Sequence, residues 1–393
     1  MKPIHYLVVF LVLNQSTFSG TRFLVALYAV HQQASALVVG ALVALFSAAA
    51  MVGAVAMGKL VDLRGTRIPV LTGTLLLASG VGLPLLWRDF AVLYVAAFLI
   101  GGAYFTVYIA ISTLISKCGE PGERALNFSR MTLGTAVASG LGPMLTGLAI
   151  DHLGYAAALG LLALVPLLSL AVPLTGRLPQ AGPAASVTRE GKGGGSVLAL
   201  LRDPHLLPVY VISTLFILSL DIFVVMTPLY GTQLKLSASQ IGLVVGAFAL
   251  AAFVARIAVV PLTRFYTPWQ LLLMALALAA VSTAVFGLIS SASLLVVCAF
   301  VIGFGQGFGA PMYTAALYAA APPERASEAM GLRMSLGMSA QTLLPLAVGS
   351  LGSFMAAGPV FWATGLLLLG GVFMQRKQWH SKPVRNDTRA AGH

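Results

Sequence analysis

This chain is short of charge. Asp, Glu, Lys and Arg make up only 9% of its 393 residues, against roughly 25% in a soluble globular protein, too little to cover a surface that faces water on all sides. Acid is scarcer than base, 11 Asp and Glu against 23 Lys and Arg, for a formal charge of +12. That charge does not make a nucleic-acid binder, because a basic groove needs Lys and Arg gathered on one face, and here they are scattered between apolar runs. Cysteine is nearly missing: Cys118 and Cys298 are too few for a disulfide framework or a metal cluster. The histidines, His5, His31, His152, His205, His380 and His393, have no metal-ligand spacing, and no paired acid and base mark a catalytic site. An enzyme, a metal and a cofactor are therefore not expected.

What abounds is apolar side chain, 59% of the residues. A helix needs about 20 apolar residues to cross the roughly 30 Å hydrocarbon core of a bilayer. Breaking the chain at polar or Gly/Pro punctuation predicts spans over 4–30, 36–58, 68–87, 90–116, 123–150, 154–176, 205–232, 238–263, 268–290, 292–320, 325–351 and 355–375. The expected fold is all-α and integral to the membrane, with twelve transmembrane helices. The first apolar stretch runs from Met1 and Lys2 to about Val30, longer than a signal-peptide core, and reads as a retained span.

The longest polar interruption, Arg177 to Asp203, holds Pro179, Pro183 and the run Gly191 to Ser196, a linker composition. A nucleotide loop is excluded there, since Gly-x4-Gly-Lys-Ser/Thr is not present. The expected organisation is a six-helix bundle over 1–176, a linker over 177–203, a second six-helix bundle over 204–376 and a tail over 377–393. Helix alternation puts Lys59, Arg64, Arg67, Lys117, Arg124, Arg202, Arg264, Arg325 and the basic tail on the side of the N-terminus and linker, and only Arg88 and Lys235 on the other. The positive-inside rule then predicts both termini and the linker in the cytoplasm of a cell (inner) membrane protein.

The halves echo each other. Pro121-Gly122-Glu123-Arg124-Ala125 matches Pro322-Pro323-Glu324-Arg325-Ala326, Arg130-Met131-Thr132-Leu133-Gly134 matches Arg333-Met334-Ser335-Leu336-Gly337, and Val38-Val39-Gly40-Ala41 matches Val244-Val245-Gly246-Ala247. Helix n thus pairs with helix n+6, in the same orientation, with a working cavity expected between the halves near the midplane.

Between the second and third spans stands Gly58-Lys59-Leu60-Val61-Asp62-Leu63-Arg64-Gly65-Thr66-Arg67, which resembles the loop signature G-x-L-x-D-r-x-G-r of the major facilitator superfamily. The resemblance extends over the whole chain through helix count, linker and repeat. It implies alternating-access transport, with Gly58, Asp62, Arg64, Gly65 and Arg67 as a gate in which Asp62 meets the start of the eleventh helix, a carboxylate being favoured at a helix N-terminus. The second-half counterpart, Pro261 to Pro268, keeps Arg264 but has no acid. Gly140-Leu141-Gly142-Pro143-Met144-Leu145-Thr146-Gly147 resembles a partial form of the family's antiporter motif, and close helix packing on small residues is the alternative. The helix-4 arginine of the family is replaced by Ala97. The glycine run Gly303 to Gly309 follows no strand and reads as helix packing.

Five ionisable residues lie inside spans: Arg22, Arg130, Asp221, Arg256 and Arg333. Each costs about 2.5 to 3.5 kcal/mol at a helix centre facing lipid, so they are expected to face water, a partner or a ligand. By depth, at about 1.5 Å per residue, Arg130 and Arg333 read as gate residues near the cytoplasmic ends, Arg256 as gate or cavity, and Arg22 and Asp221 as cavity residues. Asp221, the lone deep carboxylate, is the candidate proton carrier, with a fixed pairing to Arg22 or Arg256 as the alternative. Asn14, Gln15, Tyr104, Tyr108, Tyr313 and Gln341 complete the expected substrate lining.

The function expected is secondary transport of a small organic anion or zwitterion, driven by a proton gradient and directed to export. Uptake of an organic anion and multidrug efflux are alternatives, and a transporter-like sensor or a membrane enzyme are those of another class. The expected partners are the bilayer and a small-molecule substrate, without nucleic acid, and the working unit is a monomer.

Overall fold

The computed structural model describes residues 3–87, 89–117, 124–174, 200–263, 265–322, 325–352 and 357–376. Most of the expected linker and the whole tail lie outside the described residues. The first four helices are α1 (Pro3–His31), α2 (Ala36–Arg64), α3 (Arg67–Leu86) and α4 (Phe90–Lys117). A run over Arg124–Ser169 is interrupted at Gly154, whose φ of 82° suits a residue without Cβ. It therefore forms two helices, α5 (124–153) and α6 (155–169). The second half holds α7 (Leu207–Gln233), α8 (Ala238–Leu262), α9 (Pro268–Phe286), α10 (Ala292–Ala320), α11 (Ala326–Gly352) and α12 (Ala357–Gln375).

Ten candidate spans are long and apolar enough to cross a membrane among the described residues, because α5 and α6 count as the single run Leu126–Leu174 and α11 is too polar. With Glu328, Arg333 and Gln341 in its sequence, α11 is an interior helix, packed on α2 and α7. The outer surface is apolar, with Leu76, Leu168, Leu250, Leu366 and Leu367 more than half exposed, as lipid contact requires.

Helix starts follow local chemistry. Ser35, Ser237 and Thr267 cap α2, α8 and α9 with their side-chain oxygens, taking up amides that have no partner within the helix. The end of α2 differs from expectation. It runs to Arg64, so Gly58 to Arg64 are helical and only Gly65, at φ 71°, and Thr66 stand before α3. One glycine inside a helix costs only about 1 kcal/mol and did not stop it; the positive φ at Gly65 did. The side chains of Lys59 and Asp62, and residues Pro323 and Glu324, lie outside the described residues.

Packing repeats with the sequence. α1 lies on α5 and α7 on α11; α2 on α4 and α8 on α10; α3 on α4 and α9 on α10. Close approaches fix the register. A Cβ on Gly101 would stand 2.2 Å from the Phe46 carbonyl oxygen, and one on Gly303 2.1 Å from that of Phe248. Between the halves, a Cβ on Gly40 would meet Pro345 O at 2.2 Å and one on Gly242 would meet Pro143 O at 2.7 Å; Gly349 faces Ala36 O at 2.7 Å and Gly147 faces Ala238 O at 2.3 Å. Each residue in these pairs is matched by one 202 positions later: Gly40 by Gly242, Phe46 by Phe248, Gly101 by Gly303, Pro143 by Pro345, Gly147 by Gly349.

This register corrects all three echoes, and Pro121 falls on Pro323 rather than Pro322. Gly40 corresponds to Gly242 rather than Gly246, and Arg130 corresponds to Leu332, one residue before Arg333. One residue is about 100° of helix rotation, so the two arginines face different ways. The α2–α11 and α5–α8 seams are themselves a repeat-related pair, and both are tight at the ends of the helices away from the linker. That end, the far side, is sealed.

Candidate functional site

Toward the linker side of these seams lies a cavity of about 400 Å³, bordered by α5, α7, α8, α10 and α11. Phe216, Ile217, Leu220 and Phe248 form its apolar wall. Arg256, Gln306, Tyr313, Arg333 and Gln341 supply its polar groups, while the first half contributes Ala136 and Ser139. The wall includes two guanidinium groups and no carboxylate among the described residues. A larger hollow of about 780 Å³, lined by His31, Gln33, Asp151 and Tyr155 among others, lies outside the seal on the far side, so it is a vestibule and not the central site.

Arg333 is 9% exposed, with its guanidinium 4.8 Å from the centroid of the Tyr313 ring, a cation–π contact. The sequence-based depth placed it with the gate, but the structure places it on the cavity wall, because depth along a helix says nothing of which face a residue occupies. Arg130 points elsewhere and donates to Asn127 Oδ1 at 3.4 Å on its own helix. Arg256, expected at either the gate or the cavity, lines the cavity, and its Nη1 donates to the Thr132 carbonyl of α5 at 3.0 Å, a contact between the halves on the linker side.

Arg22 and Asp221 come together, Nη2 to Oδ1, at 3.5 Å, with side-chain exposures of 16% and 3%. The pair joins α1 to α7. Neither residue is among those that line the cavity, where depth along the helix had placed both. Asp221 Oδ2 and Arg22 Nε are buried with no hydrogen-bond partner among the described residues.

Asn14 is not a lining residue. It is fully buried, and its amide donates to Phe10 O at 2.8 Å and Ser169 Oγ at 3.1 Å, fastening α1 to α6. Gln15 donates to Ser139 Oγ at 3.1 Å and accepts from the Tyr104 hydroxyl. Tyr104 is itself buried and stacked on Phe18 at 4.2 Å, and Tyr108 stands one turn along, its ring 6.1 Å from that of Tyr104.

Gln306 was missed in the sequence, hidden in a glycine run read as packing. Its Nε2 is buried in the cavity wall with no partner among the described residues. The repeat explains why. Gln306 is the counterpart of Tyr104, Gln341 of Ser139 and Ile217 of Gln15, each 202 positions on. In the first half Tyr104, Gln15 and Ser139 satisfy one another; in the second, Ile217 replaces the connecting Gln15 and leaves Gln306 with a free donor. The glycines of the antiporter-like motif have packing roles: Gly142 lies against α1, where its Cβ would meet Ser16 O at 2.5 Å, and Gly147 against the start of α8.

Twelve long helices among the described residues, in two repeat-related halves drawn together on one side around a polar cavity, define a membrane transporter rather than an enzyme. The sequence matches the family profile of the Major Facilitator Superfamily over residues 7–292 and 209–391, and the chain belongs to that family, whose members work without a cofactor. No curated protein matches it. Similar solved structures include a POT family transporter in complex with 5-aminolevulinic acid (13% identity, TM-score 0.79, 96% of each chain). Another is a POT family transporter in complex with a thioalcohol-conjugated peptide (13%, 0.78, 96% of each chain). A third is peptide transporter POT in complex with sulfate (16%, 0.73, 96% of each chain). At these identities the likeness is one of fold.

Proposed function

We propose that the chain is a proton-coupled secondary transporter for a small organic anion or zwitterion. The observation that carries this reading is the cavity wall: Arg256 and Arg333 with Gln306, Gln341 and Tyr313, and no acid among the described residues. A cation in that cavity would meet two uncompensated positive charges. A carboxylate would gain charge-assisted hydrogen bonds of about 1.5 to 3 kcal/mol each, and about 400 Å³ suits a small organic molecule. 5-Aminolevulinic acid and sulfate, bound by the similar structures, have compatible chemistry.

Asp221 is the proposed proton carrier. Protonating it would remove the charge that holds Arg22 across the halves, so proton binding and the separation of α1 from α7 would be linked. Export is the direction favoured by the Gly142-Pro143-Gly147 motif. The gate on the linker side is assigned to the Asp62 motif with Arg64 and Arg67, by resemblance. The two bundles over 1–176 and 204–376 would then rock about the cavity, with the linker and both termini in the cytoplasm.

The test is flux in proteoliposomes, with and without a pH gradient, across a panel of organic acids, amino acids, peptides and organic cations. The reading expects gradient-driven flux of an acid or zwitterion that the Arg256→Ala/Arg333→Ala pair abolishes. Flux of an organic cation that survives that double substitution would overturn it.

A further inference from the structure

We infer that Asp151, at the end of α5, is the far-side latch of the transport cycle: a carboxylate of the first half that holds the N-terminus of α8 in the second half and so keeps the far side shut. This rests on the transporter reading and concerns the residue that positions one seam.

The four backbone amides at the start of α8 can be fully accounted for. Ser237 N donates to Gln240 Oε1 at 3.0 Å and Gln240 N to Ser237 Oγ at 3.3 Å, a capping box contained in the helix itself. The two amides between them, Ala238 N and Ser239 N, donate to Asp151 Oδ1 at 3.0 Å and Oδ2 at 2.8 Å. The second half thus supplies half of its own cap and the first half the rest. Gly147, one turn before Asp151, allows the approach, since any Cβ there would collide with Ala238 O at 2.3 Å. The N-terminal amides carry partial positive charge, so a carboxylate gains from the helix as well as from its two hydrogen bonds.

The other far-side seam has the same glycine approach. Gly349 faces Ala36 O at 2.7 Å, and the start of α2 is capped by its own Ser35, which accepts from Val38 N at 3.4 Å. The sequence position that corresponds to Asp151 is Ser353. In sequence the two seams differ at this position by one carboxylate, and the hold of Asp151 on α8 biases the molecule toward the far-side-closed state. Asp151 is exposed, so water can take over both amides and the carboxylate on opening; the contact is a reversible bias and not a lock.

The experiment uses the full chain with Cys118 and Cys298 replaced by Ala and spin labels at Gln32→Cys and Ser290→Cys, exposed far-side positions in opposite halves. Electron–electron distance distributions are recorded in nanodiscs without substrate. Asp151→Ala and Asp151→Asn are expected to raise the long-distance, far-side-open population roughly fivefold, the equilibrium effect of losing one exposed charge-assisted contact, and Asp151→Glu to restore part of it. Gln240→Ala removes the helix's own half of the capping box and leaves the contacts of Asp151 with α8 in place, so its distribution should match the parent. An unchanged distribution in both Asp151→Ala and Asp151→Asn overturns the inference. A shift in Gln240→Ala equal to theirs also overturns it, since Asp151 would then be acting only as a cap of α8. The readout needs no substrate, so its failure is distinct from failure of the transporter reading, which wild-type flux decides.

Discussion

Arg22 Nη2 stands 3.5 Å from Asp221 Oδ1, one side chain from each half, and each has a second polar atom left buried without a partner among the described residues. Breaking such a pair from one side strands the other charge, at a cost of about 3 to 5 kcal/mol. Arg22→Ala is therefore expected to lower the melting temperature more than the double variant Arg22→Ala/Asp221→Asn, which strands nothing. Equal melting temperatures would show that the two groups are not energetically coupled.

Energy coupling makes a separate demand on Asp221. Asp221→Asn cannot cycle a proton and leaves Arg22 unpaired, so it should lower the melting temperature, and in the folded, purified variant gradient-driven flux should fall to background while substrate exchange continues. Undiminished gradient-driven flux would remove Asp221 from the coupling path.

The cavity wall predicts unequal effects for arginines that look alike in sequence. Arg333→Ala should weaken substrate binding by about 1.5 to 3 kcal/mol, read by calorimetry on the acid found in the flux screen. Arg130→Ala, on a residue whose guanidinium bonds Asn127 of its own helix and does not line the cavity, should leave the dissociation constant unchanged within error.

Glycines of the two kinds of crossing should also separate. Gly303→Ala forces α10 away from α8 within one half and should cost folded yield and melting temperature. Gly40→Ala presses on the Pro345 carbonyl between halves, a contact that must open during transport, so it should move the conformational equilibrium toward far-side opening. That shift is measured by the accessibility of far-side cysteines to a membrane-impermeant thiol reagent. Equal loss of stability with no change in accessibility would contradict the distinction.

Orientation follows from charge. Tags at Met1, Gly194 and His393, all outside the described residues, should report the cytoplasm in intact cells; proteolysis at Gly194 from outside would reverse the assignment.

The sequence by itself determined the helices, their number and their pairing into halves, because a bilayer demands about 20 apolar residues per crossing and the runs are long enough to be counted directly. It also determined which residues were out of place: a charge in an apolar run is visible without coordinates, and four of the five ionisable residues singled out meet the opposite half or the cavity. What it could not supply was rotation about each helix axis. Depth is a count of residues, whereas facing depends on which neighbour the helix packs against, so Asn14 turned out to serve α6, Arg333 the cavity, and Arg130 its own helix. The one-residue slip between Arg130 and Arg333 was legible in principle, in the 202-residue spacing of Gly40, Gly101, Pro143 and Gly147 from their partners, but that spacing gains meaning only when those residues are seen touching. Gln306 and Asp151 were decided by tertiary structure alone: one matters because a neighbour that would satisfy it is an isoleucine, the other because the end of α5 meets the start of α8 from the opposite half.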